Sequence, residues 1–243
     1  MTDIHCHILP GIDDGARSLS EALEMVRLAV RSGVTDLVAT PHFPGDSRAT
    51  ALFPKILGRL QLLQQAVQRE NLPIRLYPGA EVLCTPETLE LARKKLLPTL
   101  GNTQYVLTEF YFDEPFEVMD DILTGITAWG YIPVIAHPER YEAICFDPRG
   151  IEDWFRRGWI IQVNKGSILG AFGYREQQTA QWLLGAGLVH IIASDAHSSF
   201  RRTPDMSPLL QALEELVPEE YTRILTIENP SRLIRGLAMT PAE

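Results

Sequence analysis

Ser18-Leu19-Ser20-Glu21-Ala22-Leu23-Glu24-Met25-Val26-Arg27-Leu28-Ala29-Val30-Arg31-Ser32-Gly33-Val34-Thr35-Asp36-Leu37-Val38-Ala39-Thr40 carries the pattern that decides the fold class. Ser18 with Glu21 three residues on forms a capping box. Ala22, Met25, Val26, Ala29 and Val30 then recur at helical spacing until Gly33 ends the run. The stretch 34–40 that follows at once reads as a strand. Ahead of it, residues 1–10 are too short and apolar for a helix and end at the turn Pro10-Gly11, so they form a first strand. Strand, helix and strand with tight connections make a βαβ unit and hence a parallel sheet.

The rhythm continues along the chain. A helix with Leu57, Leu60, Leu63 and Val67 precedes a strand at 74–77, and a helix over 87–95 precedes one at 104–108. A helix over 116–129 precedes a strand at 131–136. Asp147-Pro148 starts a helix before a strand at 159–163, and a helix over 176–184 precedes one at 188–193. Further helices follow Pro204 and Pro218 and start at Asn229-Pro230. No linker, charge block or low-complexity stretch divides the chain, so residues 1–243 are expected to form one domain. The economical architecture is a parallel α/β barrel with seven strands, one fewer than the eight-stranded form.

A chain of 243 residues buries roughly 70–75% of the surface its unfolded form exposes, so it needs no disulfide to be stable. No apolar run approaches the ~20 residues of a membrane span, and the start has no signal-peptide pattern; a cytoplasmic protein is expected. The net charge of −9 disfavours nucleic acid, whose binding relies on Lys and Arg. It leaves room for a phosphate ester, because bound cations can dominate the local field. Cys6, Cys84 and Cys145 are an odd number without a C-x-x-C pair, which fits a reducing compartment.

Chemistry concentrates at the carboxyl ends of the strands, where parallel α/β enzymes open their sites. His5 and His7, one residue apart on a strand, point to the same face. His42 follows the second strand, Glu81 the third, Glu109 the fourth and His137 the fifth, while Asp195 and His197 follow the seventh. Five of six histidines thus fall at one end of four strands, a placement that solubility does not explain and metal ligation does. His190, inside the run before Asp195, reads instead as a core or strand-face histidine.

The runs D-I-H-C-H-I-L-P-G-I-D-D-G, A-T-P-H, G-A-E-V, H-P-E-R and S-D-A-H resemble the motifs of the PHP superfamily of metal-dependent phosphoesterases. D-D-G-A-R-S, G-A-E-V-L and H-P-E-R-Y are most similar to its bacterial CpsB/CapC/YwqE-type protein-tyrosine phosphatases, over essentially the whole chain in order. The resemblance implies a distorted seven-stranded (β/α) TIM-like barrel and three divalent metal ions. His5, His7, Glu81 and Asp195 would hold the first, with Glu81 bridging to a second held also by Glu109 and His137. Asp14, His42 and His197 would hold the third. The motif match favours Asp14, with the adjacent Asp13 as a turn residue or supporting partner. Mixed imidazole and carboxylate ligands suit Mn, Fe or Zn, and family habit favours Mn.

By the same analogy Arg140 and Arg202 would grip phosphate oxygens, Arg201 being the alternative to Arg202. Apart from the analogy, Lys165 at the end of the sixth strand is either a phosphate contact or a simple loop lysine, and Phe43, Tyr111 and Phe112 either stack on a phenyl ring or cover the barrel rim. The loop Phe43-Pro44-Gly45-Asp46-Ser47-Arg48 departs from the family's more polar habit, which leaves peptide preference open. The implied reaction is hydrolysis of phosphotyrosine by a metal-activated hydroxide. The implied partner is the tyrosine-rich tail of a bacterial tyrosine kinase that controls capsule or exopolysaccharide synthesis. A phosphatase for a small monoester such as histidinol phosphate is the alternative, and oligomeric state stays open.

A thiol-based tyrosine phosphatase needs Cys followed six positions later by Arg, to hold a thiolate under phosphate. Those positions hold Ile12, Glu90 and Ile151. Cys6→Ser, Cys84→Ser and Cys145→Ser are therefore each expected to retain activity. Mass spectrometry of quenched turnover would contradict this if it trapped a phosphocysteine.

Overall fold

The computed structural model describes residues 1–240, so residues 241–243 of the expected unit lie outside the described part. It is a mixed α/β fold. In chain order its strands are β1 (Thr2–Cys6), β2 (Asp36–Ala39), β3 (His42–Pro44), β4 (Arg75–Pro78), β5 (Glu81–Leu83), β6 (Tyr105–Glu109), β7 (Ile132–Ala136), β8 (Ile160–Asn164) and β9 (Ile191–Ala193). All their pairings are parallel, in two sheets ordered β1-β2-β4 and β3-β5-β6-β7-β8-β9. A parallel bridge between Cys6 and Ala196 links β1 to the end of β9, and His7 N donates to Ala196 O at 2.8 Å.

Among the described residues nine strand segments thus stand where the pattern predicts seven, and β3 and β5 each begin after a two-residue gap from β2 and β4. Pro41 has no N–H to give to a ladder. Gly79 lies where a Cβ would come within 2.7 Å of Val38 Cγ1 and 2.9 Å of Leu100 Cδ2, so only a glycine allows that close approach. The resumed strands pair His42 with Glu81 and Leu83 with Glu109. Residues expected in loops are held instead in a ladder.

The helices are α1 (Leu19–Arg31), α2 (Ala49–Arg69), α3 (Thr88–Arg93), α4 (Phe116–Ala128), α5 (Glu142–Phe146), α6 (Ile151–Arg156), α7 (Lys165–Ile168), α8 (Tyr174–Gly185), α9 (Ser207–Leu216), α10 (Glu219–Arg223) and α11 (Asn229–Leu233). At the start of α1, Ser18 Oγ accepts from Glu21 N, but the Glu21 carboxylate takes Arg17 N rather than closing on Ser18. The buried stripe of α2 runs through Ile56, Leu60, Leu63 and Val67; three of the four predicted positions hold, and Ile56 takes the place of the exposed Leu57. The short helices α5 and α7 carry too few residues to show a period in sequence.

Helices pack on one face of the strands, in a large cluster that includes Met25, Val26, Leu37, Leu63, Val106, Ile135, Trp154 and Ile161. The alternate strand residues Ile4, Val38, Leu107, Val134, Ile160 and Ile191 meet in a smaller cluster on the other face, with Leu233 and Ile234. Parallel strands buried on both faces require this apolar pattern. Two residues further along three of these strands the same inner face becomes polar: Leu107 is followed by Glu109, Ile160 by Gln162 and Asn164, and Ala193 by Asp195. The apolar cluster is thus the floor of a polar layer at the carboxyl ends.

β1 reaches that layer through an irregularity. Its register advances from Asp3 opposite Leu37 to Cys6 opposite Ala39, one residue more on β1 than on β2. Such a bulge re-aims side chains. Ile4 joins the inner cluster, Cys6 joins the outer one, and the rings of His5 and His7 lie on the inner side between them.

His190 is apart from this layer. Its ring stacks on Phe155 at 4.5 Å, and its Nδ1 accepts from Ile161 N at 3.1 Å. Burial holds its pKa down at about 4. The unfolded chain protonates this ring below its ordinary pKa near 6.5, while the folded chain resists until about pH 4. Its contribution is therefore fully present above pH 6.5 and is lost as pH falls to about 4, at a cost of about 3 kcal/mol. His190→Gln is expected to flatten this part of the acid dependence. Urea unfolding of both proteins at pH 7, 5.5 and 4.5 checks it, and parallel pH slopes would show that the folded ring already carries a proton.

Candidate metal centre

Glu81, on β5 and 1% exposed, is the hub of the polar layer. Its Oε1 lies 3.2 Å from His5 Nε2 and 3.0 Å from His137 Nε2, and its Oε2 lies 3.1 Å from both His7 Nε2 and His42 Nδ1. Glu109 Oε2 adds a second carboxylate 3.3 Å from His42 Nδ1, and its Oε1 is 3.8 Å from His137 Nε2. Asp195 Oδ1 lies 3.5 Å from His5 Nε2, His7 Nε2 and His197 Nδ1. Asp14 Oδ1 lies 3.5 Å from both His42 Nε2 and His197 Nε2. The eight residues singled out by position, and Asp14, which the family resemblance adds, are therefore brought together.

Backbone geometry turns several of them inward. His137 and Asp195, each following a strand, have φ of +33° and +47°, in the left-handed region that side chains other than glycine seldom occupy. The loop with Asp13 and Asp14 folds back on His7, with Ala16 N donating to His7 O. Only glycine fits at position 15, where a Cβ would come within 2.0 Å of that same oxygen.

The second nitrogens of three of the rings are tied from behind. His5 Nδ1 donates to Gln162 Oε1 at 2.9 Å, His7 Nδ1 to Asp13 Oδ2 at 2.8 Å, and His197 Nδ1 to Asp195 O at 3.0 Å. Each Nε2 then turns a lone pair toward the others and toward carboxylates: His5 Nε2 is 3.3 Å from His7 Nε2. Acceptors facing acceptors in a buried site need a positive charge between them. Protons can supply it, and the titration behaviour reflects that. Burial disfavours charge at His7 and Glu81, yet Asp13, Asp195 and Glu81 hold His7 well above the usual imidazole range, and His5, His137 and His42 hold Glu81 well below the carboxylate range. His42, despite burial, is raised to about 10 by Glu109 and Glu81.

Metal cations answer the same need. Bonds of about 2.0–2.2 Å place neighbouring ligand atoms roughly 3–3.5 Å apart, the separations found here. Four groups have donor atoms within 4.8 Å of one another: His5, His7, Glu81; His42, Glu81, Glu109; His5, His137, Asp195; and His7, Asp14, His42, His197. The donor set fits divalent metal. His42 groups with Glu81 and Glu109 as well as with Asp14 and His197, a sharing that the sequence expectation lacks.

At the rim, Arg140 Nη1 is 3.5 Å from Asp195 Oδ2, and Arg202 Nη2 donates to the same oxygen. Both line a pocket of about 240 Å³ with Asp14, His42, Glu81, Glu109, Phe112, His137, Asp195 and His197. Arg201 is exposed outside it. An apolar groove of about 490 Å³ adjoins, sharing His42, Glu109 and Phe112, and is lined also by Phe43, Pro44, Arg48, Leu83, Phe110 and Tyr111. Phe43 is nearly buried in its wall, while Tyr111 and Phe112 are exposed.

Lys165 is a correction: it points away from the pocket, and its ammonium donates to the carbonyls of Thr203 and Asp205. Gln162, Asn164 and Glu139 were missed. Asn164 Nδ2 donates to Asp195 Oδ2, and buried Glu139 accepts from Asn164 N and Ser167 Oγ. The signal for Gln162 and Asn164 was polar residues at alternate positions ending an apolar strand; Glu139, in the turn after β7, had none. Asp13 proves to be a supporting partner, accepting from His7 Nδ1, His42 N and Gly15 N.

Comparison with known proteins follows the same lines. The family model described as capsular polysaccharide synthesis, CpsB/CapC, matches residues 1–235. Tyrosine-protein phosphatase YwqE of Bacillus subtilis is 35% identical over 97% of this chain and 92% of its own length. Tyrosine-protein phosphatase CpsB of Streptococcus agalactiae is 27% identical over 97% and 99%. A solved structure from work on YwqE of Bacillus subtilis and CpsB of Streptococcus pneumoniae, described as metal-dependent tyrosine phosphatases, covers 100% of this chain and 97% of its own, with TM-score 0.88 and 32% identity. With 235 of its 243 residues matched by that model, the chain belongs to the CpsB/CapC family of capsular polysaccharide synthesis.

Proposed function

We propose that this chain is a metal-dependent protein-tyrosine phosphatase acting on a tyrosine-phosphorylated protein, the tail of a bacterial tyrosine kinase in capsule or exopolysaccharide synthesis. The carrying observation is Glu81 ringed by four imidazoles at the base of a pocket with two arginines on its rim and an apolar groove beside it. The family relation and the activity of its relatives point the same way. A cytoplasmic location is part of this reading; among the described residues no helix is long and apolar enough to cross a membrane.

The reading includes one domain and a closed seven-strand barrel, in which β2 with β3 and β4 with β5 are two interrupted strands. The Cys6–Ala196 bridge and the inner apolar cluster drawn from β1, β2, β6, β7, β8 and β9 support closure. It also includes three divalent cations, with Mn favoured, held by His5, His7, Asp14, His42, Glu81, Glu109, His137, Asp195 and His197. Bound there, such ions supply charge to phosphoryl oxygens and lower the pKa of water toward about 7.

The protein's own groups do the rest. Glu81 and Asp195, almost fully buried, hold the imidazoles in register and keep the floor of the pocket rigid. Arg140 and Arg202 meet the phosphate from the rim, where planar guanidiniums form paired hydrogen bonds to its oxygens. The groove walled by Phe43, Leu83, Tyr111 and Phe112 receives the phenyl ring and excludes water from it. A phenolate, whose parent pKa is about 10, leaves with less proton assistance than a serine alkoxide.

A chelator is expected to abolish phosphatase activity and Mn to restore it, and Glu81→Ala to be nearly inactive with reduced metal content. Metal analysis beside steady-state rates checks both; full turnover by verified metal-free protein would end the mechanism. For substrate, kcat/KM is expected to be higher for a phosphotyrosine peptide than for a phosphoserine peptide or histidinol phosphate. Arg140→Ala should weaken all of them together by roughly 10–1000-fold. A preference for histidinol phosphate would transfer the protein to small-molecule metabolism, and a loss confined to phosphotyrosine would refute a general phosphate contact.

A further inference from the structure

Arg140 and Arg202 reach the pocket from different segments, one after β7 and the other in the loop after β9, yet both guanidiniums lie on one ring. Arg140 Cζ is 4.5 Å from the centroid of Phe172 and also 4.5 Å from that of Phe112, so it is held between two aromatic faces. Arg202 Cζ is 5.3 Å from the centroid of Phe172. Two cations converging on Asp195 Oδ2 repel each other, and a single carboxylate oxygen does not orient two planar groups. An aromatic face attracts both.

We propose that Phe172 is a positioning residue for the phosphate clamp: its ring sets the spacing and tilt of Arg140 and Arg202, so that both meet one phosphate without first being ordered by it. The proposal rests on the reading of those arginines as phosphate contacts. Arg202 needs such support, because its buried Nε has no hydrogen-bond partner among the described residues and its backbone sits at φ +45°.

The ring is itself seated by local geometry. Gly166, two residues past the end of β8, lies under it, and a Cβ there would come within 2.4 Å of Phe172 Cε2. Ala171 N donates to Gly166 O at 2.8 Å and draws the loop down onto that glycine. Gly173 follows at φ +129°, a conformation open to glycine, and lets the chain turn away into α8. Lys165 belongs to the same device, since its ammonium bonds to Thr203 O and Asp205 O fasten the loop that carries Arg202 to the end of β8. Ring and arginine are anchored to one strand end.

Isothermal titration of inorganic phosphate into the manganese-loaded protein tests this, with metal content measured on the same samples. Phe172→Ala and Phe172→Leu are expected to weaken phosphate about 3–30-fold at unchanged metal content, while Phe172→Tyr, which keeps the aromatic face, stays within about twofold of wild type. On a phosphotyrosine peptide the same two variants should raise KM more than they lower kcat. Wild-type phosphate affinity in Phe172→Ala, alongside weakened binding in Arg140→Ala and Arg202→Ala, would overturn the proposal. So would Phe172→Leu matching wild type, since side-chain volume alone would then suffice. Wild-type affinity in both arginine variants would instead overturn the clamp beneath it.

Discussion

A nearly buried carboxylate with four imidazole nitrogens around it is the constraint to which the rest of this fold answers. Charge in a low-dielectric interior is costly unless it is balanced at contact distance. Glu81 meets that demand with rings from β1, β3 and the segment after β7. Two of these rings are held at the far nitrogen, by Gln162 behind His5 and by Asp13 behind His7. A metal ion in this cage would exchange protons for a cation, so binding is coupled to proton release.

The apolar floor and the polar layer are two levels of the same strands. Inner-facing residues change from Leu107 to Glu109, from Ile160 to Gln162 and Asn164, and from Ala193 to Asp195 within one repeat of the pleat. Stability and chemistry are thus separated by about two residues along these strands. The separation is blunted only where the backbone departs from regular geometry, at the bulge in β1 and at the left-handed His137, Asp195 and Arg202. These are the positions at which ideal strands would aim a side chain wrongly.

The pocket rim follows different rules. Arginines there are long, partly exposed and mutually repelling, and they are ordered through aromatic faces and one shared carboxylate oxygen rather than through burial. Phe112 belongs both to this ring of contacts and to the neighbouring apolar groove, so the groups that would meet phosphate and those that would meet a phenyl ring are in direct contact.

The alternation of helix and strand, the parallel sheet it demands, and the placement of Glu109, His137 and Asp195 at or just past strand ends were legible in the sequence alone, because periods of 3.6 and 2 are local properties. Polar residues closing apolar strands were legible for the same reason, and His190 could be set aside by its position within such a run. Tertiary structure alone decided what each of these side chains faces. His5 and Gln162 are 157 residues apart and still hydrogen-bonded. Lys165 ends a strand as the acids do, yet its ammonium finds two carbonyls in another loop. Phe172 shows no periodic signal at all. The breaks at Pro41 and Gly79 turned presumed loop residues into ladder residues by contacts with other strands. Aim depends on which distant groups fill the remaining space, and no local period encodes that.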